Sequence, residues 1–192
     1  MRTTQDDVRE NEQIRIFDLL PRLGRSNKYI PDADLSIGDK KYPVELKTSD
    51  IAKKQISTAR GVTFKKIDEW RNVSIWIFSQ YEKPNNLTGE HYVLFPEQME
   101  PIYKKLENKI RTGTKTLLGL NDWEKAKKIL ITEGFDRSAL HKLEYAVNHK
   151  AVALNDPKIS WSFVVENGHK INTAEELRKI VISYYQDKEN EE

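Results

Sequence analysis

The sequence contains no cysteine, which excludes thiolate-held structural zinc, disulfides and thiol catalysis together. No apolar run approaches the roughly 18 residues that span a bilayer, and the N-terminal stretch MRTTQDDVRE has no apolar core of a secretion signal. A cytoplasmic protein without membrane contact is expected. Histidine is scarce. None of His91, His141, His149 and His169 shows the paired spacing of a zinc-hydrolase helix, so each reads as a surface or half-buried residue. An excess of one charge is also missing: 32 basic residues against 30 acidic ones leave a net charge of +2. That balance does not exclude a nucleic-acid partner, because lysines and arginines need only gather on one face.

What is present is a chain of 192 residues, 38% hydrophobic and 32% charged. This suffices for one buried core and is short for two independent domains. The expectation is a single domain, with a core over about residues 8–110 and a mostly helical C-terminal lobe over about 115–186.

Apolar periodicity predicts a helix from Asp7 to Leu20, ended by Pro21 and Gly24, then a loop from Arg22 to Ile30. Strands follow at Ala33–Ile37 and Tyr42–Thr48, turning at Gly38, Asp39 and Lys40. Helices are expected at Ile51–Arg60 and Phe64–Arg71. VSIWIFS, from Val73 to Ser79, reads as a central strand covered on both sides. A polar turn, EKPNNLTGE, should lead to a strand at His91–Phe95, and Pro96 opens a helix to about Ile110. Asn121 with Glu124 resembles a capping box for a helix to about Glu133, and Asp136 caps another to Val147. A strand from Ile159 to Val165, a turn at Asn167-Gly168 and a helix capped by Thr173 and Glu176 to Tyr185 complete the chain, with a frayed tail. The fold class expected is α/β (α+β), a mixed sheet flanked by helices.

The chemistry concentrates in PDADLSIGDKKYPVELK, Pro31 to Lys47. Alternation along a strand puts Asp32, Asp34 and Ser36 on one face, and Glu45 with Lys47 on one face of the next strand. With Asp39 and Lys40 at the turn, Asp34 pairs with Glu45 and Asp32 with position 47. Close carboxylates repel unless a cation neutralises them, and oxygen-only ligands favour Mg²⁺. Such a site suits phosphodiester hydrolysis, with Lys47 orienting the attacking water and stabilising negative charge. A solvent-facing hairpin is the competing reading of the same alternation.

Pro31-Asp32 with Glu45-Leu46-Lys47 resembles the motif of the PD-(D/E)xK nuclease superfamily, which includes most type II restriction endonucleases. The resemblance covers roughly residues 8–80 and implies Mg²⁺ held by an acid of the first strand, Glu45 and the Leu46 carbonyl. Adjacency to Pro31 favours Asp32 as the first acid; the expected pairing with Glu45 favours Asp34, which is preferred here. Family members often add a glutamate from the first helix, for which Glu12 is the first candidate and Glu10 the second.

Further residues are candidates for DNA contact: Arg22, Arg25, Ser26, Asn27 and Lys28 in the loop, and Lys53, Lys54, Gln55, Ser57, Arg60, Lys65 and Lys66 after the motif. Trp70, Trp76 and Phe78 read as core. The resemblance implies a sequence-specific, Mg²⁺-dependent endonuclease of double-stranded DNA, acting as a homodimer on a palindromic site and accompanied by a cognate DNA methyltransferase. A structure-selective or Holliday-junction nuclease, and a non-catalytic DNA-binding domain of the same fold, are the alternatives.

Overall fold

Alternation of apolar and polar residues from Ala33 to Asp50 produces a hairpin whose turn is tighter than its composition suggests. A computed structural model describes residues 5–22, 31–57, 64–72, 75–83, 86–118, 123–134 and 158–191. In it β2 (Ala33–Ile37) and β3 (Lys40–Asp50) pair antiparallel with Ile37 opposite Lys40, so Gly38 and Asp39 alone make the turn. Gly38 has φ +56°, the left-handed region that a two-residue hairpin requires at its first central position. The expected register is therefore corrected: Asp34 lies opposite Pro43, not Glu45, and Ala33 opposite Val44. A shift of two residues keeps every side chain on its face and changes its partner.

The other elements, in chain order, are α1 (Gln5–Ile16) and β1 (Leu20–Pro21) before the hairpin. After it come β4 (Gln55–Ser57), α2 (Phe64–Arg71), β5 (Ile75–Glu82), β6 (Asn86–Leu94), α3 (Pro96–Leu118) and α4 (Trp123–Thr132). β7 (Lys158–Ser160), α5 (Trp161–Asn167), β8 (His169–Ile171) and α6 (Ala174–Glu191) end the chain. Six strands form a mixed sheet in the order β1-β2-β3-β5-β6-β8, and β4 pairs with β7 in a small second sheet. β3 and β5 run parallel; the other pairs are antiparallel. The fold is α+β, as expected from the element order.

The chain divides into two compact units. One comprises Met1–Ser57, Glu69–Glu100 and Lys158–Glu192, and contains both sheets; the other comprises Thr58–Asp68 and Pro101–Pro157. Described residues of the second unit are helical or in turns, with Ile67, Tyr103 and Leu106 buried. In the first unit, one core gathers Phe17 and Leu19 after α1, the inward residues Ala33, Leu35, Val44, Leu46, Ile75, Ile77 and Val93 of the sheet, and Leu177 and Val181 of α6. Strand β5 is buried from Ile75 to Gln80, as its continuous apolar run predicts. On the other sheet face, Trp76 packs edge-on against Trp70 and stacks on Phe78, and all three are essentially inaccessible.

Several expected boundaries move for local reasons. Helix α1 stops at Ile16, where Asp18 turns left-handed (φ 51°) and the Leu19 amide reaches back to the Ile14 carbonyl. Leu20 and Pro21 then become an edge strand. The helix expected from Ile51 is a turn followed by β4: Lys54 has φ 50°, and its carbonyl accepts the Trp161 amide at 2.9 Å. Most of the polar segment after β5 is strand, since β6 starts at Asn86. The strand expected over Ile159–Val165 lasts three residues. Ser160 accepts a hydrogen bond from the Phe163 amide and caps α5, so a side-chain cap overrides the strand preference of Val164 and Val165.

Gly168 then brings the chain onto β6. A Cβ there would lie 2.6 Å from Leu94 Cδ1 and 2.7 Å from the Val164 carbonyl, so only glycine fits. This close approach lets β8 pair with β6, an addition absent from the sequence-based expectation. The cap of α6 is as expected, with the Glu176 amide donating to Thr173 Oγ1, but the helix runs to Glu191 in place of a frayed tail. The capping residues Asn121 and Asp136 lie outside the described residues.

Candidate active site

Glu45 and Lys47 share the face of β3 opposite to Leu46, and Asp32 stands one residue beyond the last β2–β3 pair, which continues the register onto Glu45. The Leu46 amide donates to Asp32 Oδ2 at 2.8 Å, fixing that carboxylate beside the strand. Lys47 Nζ lies 2.8 Å from Glu45 Oε1, 3.4 Å from Asp32 Oδ2 and 2.7 Å from the Leu46 carbonyl oxygen. Three oxygens thus converge on one cationic centre. Glu45 is 5% exposed, and the Lys47 ammonium stands 5.9 Å from the Trp76 ring centre.

Burial alone would drive the Lys47 ammonium towards its neutral form. The charges of Glu45 and Asp32, its hydrogen bond to Glu45 and the charge of Glu10 outweigh that cost and raise its pKa above the ordinary lysine range. The lysine is therefore a fixed cation at neutral pH. Glu10 acts on it from α1, whereas Glu12 pairs with Arg15 at 2.6 Å on the exposed side of that helix. Of these two helix candidates, it is Glu10 whose charge acts on Lys47. Residues 10 and 13 are one turn apart on one helix face, and residue 12 is rotated away from residue 13.

Gln13 holds α1 in place. Fully buried, it donates from Nε2 to the Lys47 and Ile77 carbonyls, both at 3.3 Å, and to Ser79 Oγ at 2.8 Å. Sequence reasoning missed it, although a glutamine three residues after Glu10 among Ile14, Ile16 and Phe17 was a legible signal. The same network includes His91, whose Nδ1 is 2.8 Å from Ser79 Oγ and whose ring meets Phe17 edge-on. His91 is 4% exposed, more enclosed than its sequence setting suggested.

Burial lowers the His91 pKa, with Glu90 opposing and Lys170 reinforcing this shift. A base whose folded pKa is lowered contributes full stability above its unfolded pKa near 6.5 and loses it as pH falls towards the folded value. Urea unfolding at about pH 7.5 and about pH 5.5 should show this loss in the wild type and a smaller one in His91→Gln. Equal losses in the two proteins would remove His91 as its source.

Asp34 is not among the groups around Lys47. It pairs with Arg22, Nε to Oδ2 at 2.7 Å and Nη2 to Oδ1, on the side of β1. Of the other DNA-contact candidates, Lys53 and Lys54 are exposed in the turn after β3, not on a helix. Gln55 and Ser57 form the exposed row of β4 opposite Ser160 and Lys158, and Ser49 Oγ donates to the Gln55 carbonyl at 3.1 Å. Lys66 is on α2, as is the backbone of Lys65. Arg25, Ser26, Asn27, Lys28 and Arg60, like His141 and His149, lie outside the described residues.

Among the described residues, no group of three or more His, Asp or Glu side chains is arranged to hold a metal ion. The fit to a cation rests instead on two carboxylates and one backbone carbonyl. All are oxygen donors, and all are already directed at a single positive charge, the coordination preference of a hard divalent cation. No described helix is long and apolar enough to cross a membrane.

Comparison with protein families matches residues 25–134 to the family described as restriction endonuclease PvuII, a span that includes the whole β2–β3 hairpin. A search of curated proteins finds no match. With more than half of its length matched, the chain belongs to the restriction endonuclease PvuII family and is a sequence-specific type II DNA endonuclease of the PD-(D/E)xK type.

Proposed function

We propose that this endonuclease hydrolyses phosphodiester bonds of double-stranded DNA at a Mg²⁺ site formed by Asp32, Glu45 and the Leu46 carbonyl, with Lys47 as the adjacent cation. The observation that carries this reading is the convergence of those three oxygens on the Lys47 ammonium at 2.7–3.4 Å. When bound, Mg²⁺ would supply a lowered pKa for the attacking water and charge neutralisation at the phosphate. Asp32 is held by the Leu46 amide and presents its carboxylate from the hairpin edge. Glu45 presents its own from the buried centre of β3. Lys47, whose ammonium Glu45 and Asp32 hold in place, would approach a non-bridging phosphate oxygen and orient the water by hydrogen bonding. Glu10, held by the Gln13 anchor, is the supporting carboxylate of α1.

Asp32 replaces Asp34 as the first acid in this proposal, because the two-residue turn puts position 32, not 34, across from Glu45. Exposed Lys53, Lys54 and Gln55 follow the catalytic strand and suit contact with the phosphate backbone and bases next to the cut. Cleavage of both strands of a palindromic site calls for a homodimer, and a cognate DNA methyltransferase would protect the host's own sites.

Incubation with plasmid DNA and Mg²⁺ should yield discrete fragments, and EDTA should abolish them. Cutting confined to branched DNA would favour a structure-selective nuclease, and an absence of cutting with every divalent metal would refute the catalytic reading.

A further inference from the structure

Arg22 directly follows β1. Leu20 pairs with Asp34 and Pro21 with Ala33, so the next step of the same register sets Arg22 across from Asp32. Continuing the β2–β3 register sets Asp32 across from Glu45. Residues directly opposite in antiparallel strands share a face and stand about 5 Å apart at Cα. On that continuation Arg22, Asp32 and Glu45 form one row on the face that carries Lys47, which stands two residues along β3 from Glu45. The sheet edge next to the carboxylates is occupied by a guanidinium.

That guanidinium has a fixed direction. Nε and Nη2 both face the Asp34 carboxylate, a two-point contact that sets the plane as well as the position of the group. The pair is neither deeply buried nor a loose surface contact: 30% of the Arg22 side chain and 15% of the Asp34 side chain remain exposed. An arginine oriented beside a pair of carboxylates that would hold a cation is suited to a dianionic or polyanionic ligand reaching both.

We propose that Arg22 holds a non-bridging oxygen of the DNA phosphate at or next to the scissile bond, and that Asp34 is its positioning residue. This deepens the reading of Asp32, Glu45 and Lys47 as the catalytic centre and rests on it. It also gives the acid at position 34 a role other than metal ligation. Asp34 lies on the catalytic face because the arginine it orients has to lie there.

The test uses full-length Arg22→Gln, Arg22→Lys, Asp34→Asn and the double variant Arg22→Gln/Asp34→Asn. Binding to a short duplex is measured in EDTA across a salt series, Mg²⁺-supported cleavage under single turnover, and Mn²⁺ binding calorimetrically. Arg22→Gln should reduce the slope of log affinity against log salt by about 0.9, the value of one lost phosphate contact, and slow cleavage on the order of 100-fold. Arg22→Lys, which keeps the charge without the planar fork, should restore the slope but not the full rate. Asp34→Asn should bind Mn²⁺ normally and cleave slowly, and the double variant should be no slower than Arg22→Gln, because both act through one group. An unchanged salt slope in Arg22→Gln would overturn the proposal, as would loss of Mn²⁺ binding in Asp34→Asn. Normal cleavage by Glu45→Gln would instead refute the catalytic centre, and the EDTA salt slope would still report on Arg22.

Discussion

Replacement of Lys47 by methionine is expected to reduce DNA cleavage by about 10³-fold, the scale seen when one preorganised charge-stabilising group is removed from an active site. Methionine fills a similar volume and keeps the stem against Trp76, so lost charge, not lost packing, dominates the effect. Without the ammonium, Asp32 and Glu45 would lose the cation that they share in a poorly hydrated pocket. The metal-free variant should therefore be less stable than the wild type by about 2 kcal/mol, a value reduced from that of a fully buried broken pair because the lysine side chain is 11% exposed. Added Mg²⁺ should then raise the thermal midpoint of Lys47→Met more than that of the wild type, since the cation no longer displaces a resident ammonium. Single-turnover cleavage and thermal unfolding with and without Mg²⁺ measure both effects. Wild-type cleavage rates in this variant would eliminate Lys47 from the chemistry.

Asp32→Asn is the second substitution with a large expected effect. An asparagine placed with its Oδ1 where Asp32 has Oδ2 still accepts the Leu46 amide bond found at 2.8 Å, so the hairpin edge should persist. What disappears is one of two carboxylates, and with it most of the attraction for a divalent cation. Mn²⁺ affinity should fall by at least about tenfold and cleavage on the order of 10³-fold, with DNA binding in EDTA unchanged or stronger because a negative charge is gone. If Asp32→Asn retains full metal affinity, Asp32 is not a ligand and the first acid has to be sought elsewhere on the face.

The contrast between positions 32 and 34 shows how far the chain is readable in one dimension. Alternation put both acids, Glu45 and Lys47 on the same face, and the structure agrees, because side-chain direction along a strand is a local property. Pairing is not local. It depends on where Gly38 turns, and a two-residue turn at Gly38-Asp39 moves the partner of Glu45 from position 34 to position 32 without disturbing the alternation. The proline-aspartate pair of the motif, which the expected register had demoted, is the one beside Lys47.

Two other segments make the same division. VSIWIFS read as a doubly covered strand, and its described part, Ile75 to Ser79, is one, since an uninterrupted apolar run leaves no solvent face to choose. The segment from Ile159 to Val165 read as a strand on its aromatic and β-branched residues. Ser160 instead caps α5, and Gly168 then admits β8 to the edge of β6, a fit that depends on Leu94 and Tyr92 more than 70 residues away.

By itself, then, the sequence determined the element types wherever periodicity was strong, the shared face of Asp32, Asp34, Glu45 and Lys47, and a nuclease motif that the family match bears out. Only the tertiary structure decided which acid adjoins Lys47, that Glu10 and not Glu12 approaches it from α1, and that Gln13 and the Arg22–Asp34 pair flank the site. Those outcomes follow from strand register and from helix-on-sheet packing, in which a buried amide finds its acceptors 34 and 64 residues away.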